Sequence, residues 1–191
     1  MTMLAQVRID MPAWLARLGE RLPERLDTAE SRMAVAVALA RQNIVEESGG
    51  PFGALVVARD TGQVIALGVN RVEPACCSAA HAEVVALSLA QQQFGVWNLA
   101  ETGLGPMELV TSCEPCAMCL GAIPWSGVAS VVCGATKEDA EAAGFDEGDR
   151  PDAWVDQLAA RGIAVIRGVL RRSAAEVLDR YRRSGRTIYS T

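Results

Sequence analysis

The chain holds one histidine, His81, in the stretch "SAAHAEVVALSLAQ", two residues before Glu83 and at the mouth of an apolar helix. The stretch "SCEPCAMCLGAI" supplies Cys116 and Cys119 behind Pro115. Proline is tolerated at the first helical position, where a missing N–H is no loss. The spacing therefore predicts a helix from Pro115 to Ile123, with Cys116 and Cys119 on one face of its first turn. A helix N-terminus favours thiolates, and thiolates bind metal. Two thiolates leave a tetrahedral zinc site incomplete. One imidazole makes three protein ligands and leaves the fourth position for water, the arrangement of a catalytic site. His81 is the one imidazole the chain can offer. Glu83 lies about 200° around a helix from His81, so the two do not chelate an ion in the same-face manner. Near the helix end its carboxylate can still reach a water held above that end and accept its proton, which is useful where two thiolates weaken zinc as a Lewis acid.

Weaker candidates surround this constellation. Asn70, in "ALGVNRV", carries both a donor and an acceptor and suits an amide-like ring edge; a strand-end turn suits it equally. Phe52 and Trp125 are candidates to sandwich a flat ring, although spacing alone favours ordinary core packing. "GFDEG" offers Asp146 and Glu147 after an acidic helix, and composition does not choose between them. Cys113 falls before the helix and reads as buried beside the site, and Cys76 and Cys77 as plain loop or core thiols.

The elements that must position these residues follow from pattern. Length fits one domain, and an apolar content of 50% allows a sizeable core. Residues 1–27 read as an N-terminal extension with a short helix broken near Gly19 and Pro23. Asp27 or Thr28 caps a helix that stops at Gly49-Gly50-Pro51. "ALVVA" and "QVIALGV" flank Asp60-Thr61-Gly62 as a hairpin, Ser78 begins the histidine helix, and helices then alternate with the strands "MELVTS", "VASVVCGA" and "IAVIRG". That alternation implies an α/β fold, a mixed sheet between helical layers, over residues 28–170. A terminal helix and tail occupy 171–191. The net charge is −5, and the seven arginines from Arg167 to Arg186 have a single aromatic among them, Tyr181, too few for a stacking platform. They read as a solvated helix face, and a nucleic-acid partner is not expected. No apolar run is long enough for a membrane span and the start does not resemble a secretory signal, so a cytoplasmic chain with reduced thiols is expected.

The paired motifs, H-x-E and P-C-x-x-C, form a zinc deaminase signature. With "GGPFGA", "TSCEPCAMCLGAI" and "EAAGFDEG", the chain from about Ala34 to Asp149 resembles the cytidine deaminase superfamily, and within it the bacterial guanine deaminases. "EAAGFDEG" is the more discriminating segment, because the zinc motif is shared with tRNA adenosine, cytosine and riboflavin-pathway deaminases. The resemblance implies a three-layer α/β/α sandwich with a mixed five-stranded sheet. It implies one zinc ion per subunit on His81, Cys116 and Cys119, catalysis by Glu83 and Glu147, and a purine pocket drawing on Asn70, Phe52, Trp125 and Ala82. It further implies a homodimer, which in some relatives is domain-swapped, and a C-terminal lid in which Tyr189 folds over the site. The implied reaction is guanine plus water to xanthine and ammonia. Two alternatives stay open: a tRNA adenosine, other nucleobase or s-triazine aminohydrolase with the same zinc chemistry, and a non-catalytic zinc-stapled interaction domain. The acidic balance argues against a tRNA groove. The interaction domain requires a closed coordination sphere, with a fourth ligand such as Cys113.

Overall fold

The structure is a computed structural model that describes residues 6–189. In chain order the elements are α1 (Ala13–Gly19), α2 (Ala29–Val45), β1 (Gly53–Ala58), β2 (Gln63–Val69), α3 (Val72–Ala75), α4 (Ala82–Phe94), β3 (Met107–Cys113), α5 (Ala117–Ser126), β4 (Ser130–Ala135), α6 (Lys137–Ala142), α7 (Trp154–Ala159), β5 (Ala164–Ile166) and α8 (Arg171–Arg183). Thr28 and Ser31 form a reciprocal capping box that starts α2. The hairpin turns at Gly62, whose φ of 70° a residue with a side chain would adopt only under strain.

The sheet has five strands in the order β2-β1-β3-β4-β5. β1 runs antiparallel to β2 and β3, whereas β3, β4 and β5 are parallel. Strand alternation feeds two cores. Leu55, Val57, Val110 and Val132 face α2 and α8, while Val56, Leu109, Val131 and Cys133 face α4, α5 and α7. The result is the three-layer α/β/α sandwich with a mixed five-stranded sheet. Gly68 brings the second helical layer close: a Cβ there would lie 2.3 Å from the Ala82 carbonyl oxygen, so α4 starts directly against β2.

The described part of the N-terminal extension is packed on this body. Trp14, Leu15 and Leu26 are buried in the same core as Met33 and Tyr181, and the Leu26 N–H donates to the Gly62 carbonyl. On α8, Ala174, Val177, Leu178 and Tyr181 are buried. The arginines around them pair with acids: Arg171 with Asp139, Arg172 with Glu176, Arg182 and Arg183 with Asp179, and Arg186 with Glu47. Among the described residues no helix is long and apolar enough to cross a membrane.

Candidate active site

The parallel strand β3 ends at Cys113, and the chain leaves it through Glu114-Pro115 into α5. This is the carboxyl end of the sheet, where open α/β folds place their ligands. Both predicted helix starts move. Cys116 is the residue before α5, with extended φ and ψ of −66° and 173°, so Pro115 precedes the helix rather than opening it. Its carbonyl accepts the first helical hydrogen bond, from the Leu120 N–H at 2.8 Å. His81 holds the same position on α4, with φ −70° and ψ 153°, and Ser78 lies in the preceding turn rather than in the helix. Because His81 is extended, counting helical degrees from it to Glu83 does not apply. Two helix N-termini thus converge on one point, each presenting the positive end of its dipole.

At that point His81 Nδ1 lies 3.5 Å from Cys116 Sγ and 3.6 Å from Cys119 Sγ, and the three atoms lie within 4.8 Å of one another. A tetrahedral zinc centre with Zn–S of about 2.3 Å and Zn–N of about 2.0–2.1 Å has an S···N edge of about 3.5–3.6 Å. The donor set fits the ion in spacing as well as in type. A hydrogen bond from Cys119, then one from His81, holds the Cys116 thiol down at about 4 against the opposing effect of burial. Burial opposes protonation of His81, yet its contacts with Cys116 and Glu83 raise its pKa. Such protons are what a cation displaces when it binds.

Two buried carboxyl groups face this cluster. Glu83, in the first turn of α4, has its pKa raised by burial and by the neighbouring Cys116. Glu147 is pushed up to about 8, first by burial and then by the charges of Cys116 and Glu83. Its backbone carbonyl accepts the Ala117 N–H at 2.9 Å, which ties its loop to the start of α5. Phe145 and Glu147 are buried while Asp146 between them is exposed, the alternation of an extended segment. Asp146 instead accepts a hydrogen bond from the Gly148 N–H at 2.8 Å.

The cavity over these groups has a volume of about 280 Å³ and is lined by Phe52, Asn70, Phe145 and Tyr189 besides His81, Glu83, Cys116 and Glu147. Asn70 Oδ1 accepts the Val72 N–H at 3.2 Å, which fixes one end of the amide. Among the described residues, Asn70 Nδ2 and the Tyr189 hydroxyl are the buried side-chain polar atoms without a hydrogen-bond partner. Both belong to residues that line this cavity.

Two predicted pocket residues lie elsewhere. Trp125 is 77% exposed and lines a different depression, beside Leu120 and Arg161. It follows Cys119 by six residues, about 240° around the helix, so the ligand and the indole occupy different faces. No Phe52–Trp125 sandwich forms within the chain. The side chain of Ala82 is buried in the α4-side core, not in the cavity.

Sequence reasoning missed Phe145, whose ring meets Phe52 at 4.9 Å and Tyr189 at 5.4 Å between centroids. It also missed the buried Glu114, which pairs with Arg150 at 2.9 Å and Arg167 at 2.5 Å and so braces the loop that carries Glu147. Phe145 sits inside the conspicuous "EAAGFDEG", which was a usable signal; Glu114, between two cysteines, had none of its own.

Comparison with known proteins agrees with this geometry. Residues 26–135 match the family model for the cytidine and deoxycytidylate deaminase zinc-binding region. The chain is 42% identical over 118 residues to the guanine deaminase of Bacillus subtilis, covering 62% of this chain and 71% of that protein. A solved structure of guanine deaminase from Nitrosomonas europaea is 48% identical with a TM-score of 0.89, covering 96% of this chain and 100% of that one. A solved variant chain in complex with 8-azaguanine is 47% identical with a TM-score of 0.90, covering 97% and 100%. The chain belongs to the cytidine and deoxycytidylate deaminase family, in the branch that holds the guanine deaminases.

Proposed function

We propose that the protein is a zinc-dependent hydrolase that converts guanine and water to xanthine and ammonia. The observation that carries the reading is the placement of two buried carboxyl groups, Glu83 and Glu147, beside a three-ligand cluster inside a base-sized cavity. A volume of about 280 Å³ falls at the small end of ligand pockets and suits one bicyclic ring. The relatives named as guanine deaminases and the 8-azaguanine complex support the same substrate.

One zinc ion per subunit, held by His81, Cys116 and Cys119, supplies the Lewis acidity that makes a water nucleophilic near neutral pH. The residues do the rest. Glu83 takes a proton from the attacking water and passes it to the ring nitrogen beside the carbon under attack. Glu147, which burial keeps protonated around neutral pH, gives a proton to the departing amine; the C–N bond breaks with ammonia as leaving group, and the proton released by the added hydroxyl as the new carbonyl forms restores the carboxyl. Asn70 Nδ2 donates to an acceptor on the purine edge, and Phe52 and Phe145 form the apolar wall on which the ring rests. Tyr189 covers the opening and excludes water, its hydroxyl serving as a second donor.

The reading extends to a homodimer in a reducing, cytoplasmic compartment. Trp97 and Trp125 are 70% and 77% exposed, an outlay of apolar surface that a second subunit would cover, and all six cysteines are free. The test is ammonia release by the zinc-loaded protein on guanine, cytosine, adenine, ammeline and a tRNA anticodon stem-loop. Guanine is expected to give the highest kcat/KM. Preference for the stem-loop would move the assignment to tRNA editing, and silence on every ring would favour a zinc-stapled interaction domain.

A further inference from the structure

The N-terminal segment does more than cover the core. The Trp14 indole Nε1 donates to Ser48 Oγ at 2.9 Å. Ser48 Oγ donates to Asn43 Oδ1 at 2.7 Å. Asn43 Nδ2 donates to the carbonyls of Gly50 at 2.8 Å and Asn70 at 2.9 Å. Every donor in this relay points the same way, from the extension to the backbone of Asn70. A second tie runs in parallel: Arg71 Nε donates to the Asp10 carbonyl at 2.9 Å and its Nη1 to the Ser48 carbonyl. The fit is close. Asn43 and Asn70 are fully buried, and a Cβ on Gly49 would lie 2.0 Å from the Asn70 carbonyl oxygen and 2.8 Å from Asn43 Nδ2. Gly50, the other carbonyl held by Asn43, lies against the Tyr189 ring.

We propose that Trp14 is a positioning residue for substrate recognition, acting through Ser48 and Asn43 to hold the backbone at Asn70 so that its amide nitrogen points into the base cavity. The inference rests on the reading that Asn70 contacts the purine. His81, Glu83 and the two cysteine ligands are carried by α4 and α5, which the relay does not touch, so its loss acts on binding rather than on the proton transfers. Removing one hydrogen bond from a buried chain while keeping an aromatic ring in place corresponds to about a fivefold weakening, or about 1 kcal/mol.

The test uses the full-length, zinc-loaded protein, with guanine KM and kcat and zinc content measured for Trp14→Phe, Ser48→Ala, Asn70→Ala and the double variant Trp14→Phe/Asn70→Ala. Trp14→Phe is expected to raise KM about fivefold with kcat within twofold of the parent and zinc unchanged. Ser48→Ala, which breaks the same relay without altering the core, is expected to do likewise. In the Asn70→Ala background Trp14→Phe is expected to add nothing to KM, because the group it positions is gone. An unchanged KM in both single variants overturns the relay, as does an equal, additive rise in the double variant, which would mark Trp14 as a stabilising residue only. If Asn70→Ala itself leaves KM unchanged, the reading of Asn70 as the base contact fails, and the positioning role falls with it.

Discussion

Glu147 carries the most informative titration in the site. Burial, then the charges of Cys116 and Glu83, push its carboxyl up to about 8. In the proposed role of proton donor to the leaving amine it would work in the neutral form, so kcat/KM should fall as pH rises through about 8. In its proposed role Glu83 would work as the ionised base, and burial, which raises its pKa, should shift the acid limb upward. The charge of Glu83 helps to lift Glu147, so the two apparent values of the bell belong to the pair. Glu147→Gln should lower turnover by about 10²–10⁴-fold, remove the alkaline limb and leave zinc in place. Asp146→Asn, on the exposed neighbour, should change kcat/KM by less than about threefold. A reversal of these two effects in the same assay would put the catalytic carboxyl at Asp146. The cluster was legible in the sequence, because the chain offers one imidazole and places Cys116 and Cys119 one helical turn apart, and the structure brings the three ligand atoms within 4.8 Å of one another. Trp125 was misplaced because an aromatic six residues beyond a ligand faces the site or solvent according to where the helix begins.

At the scale of elements, the shift of both helix starts is what makes the site. Had Pro115 opened α5, Cys116 would lie inside the first turn; as the capping residue it stands over the helix end, where His81 stands over α4. A capping position depends on one ψ angle, which composition and spacing do not report, whereas the five strands and the long capped α2 were plain from alternation and from Thr28. The C-terminal segment is held by Arg186 on the Ile44 carbonyl at 2.7 Å and by the Tyr181 hydroxyl, which donates to the Thr187 carbonyl at 2.8 Å. Those ties bring Tyr189 against Gly50, where a Cβ would lie 2.1 Å from the phenolic oxygen. Deleting residues from Thr187 onward should lower kcat/KM by about tenfold or more with zinc content unchanged. Gly50→Ala should reproduce part of that loss by displacing the ring, and normal kinetics in both proteins would remove the lid from the mechanism.

For the whole molecule, the His81, Cys116 and Cys119 cluster joins the start of α4 to the start of α5, so metal occupancy and stability should be linked. An ion bound only by the folded state, at 100 times its dissociation constant, stabilises by about 2.7 kcal/mol. Chelation should therefore lower Tm, and zinc should restore it in the parent protein but not in Cys116→Ala, which lacks a ligand. The sandwich and the C-terminal segment together line a space for one ring, and the central claim is that water is added to that ring with Glu83 as the base. The direct measurement is mass spectrometry of the product formed from guanine in ¹⁸O-labelled water by zinc-loaded protein, with Glu83→Gln at equal zinc content as the control. The account predicts xanthine carrying one labelled oxygen, one ammonia released per xanthine, and the loss of both in Glu83→Gln. Xanthine without label, or labelled xanthine formed at the parent rate by Glu83→Gln, would contradict it.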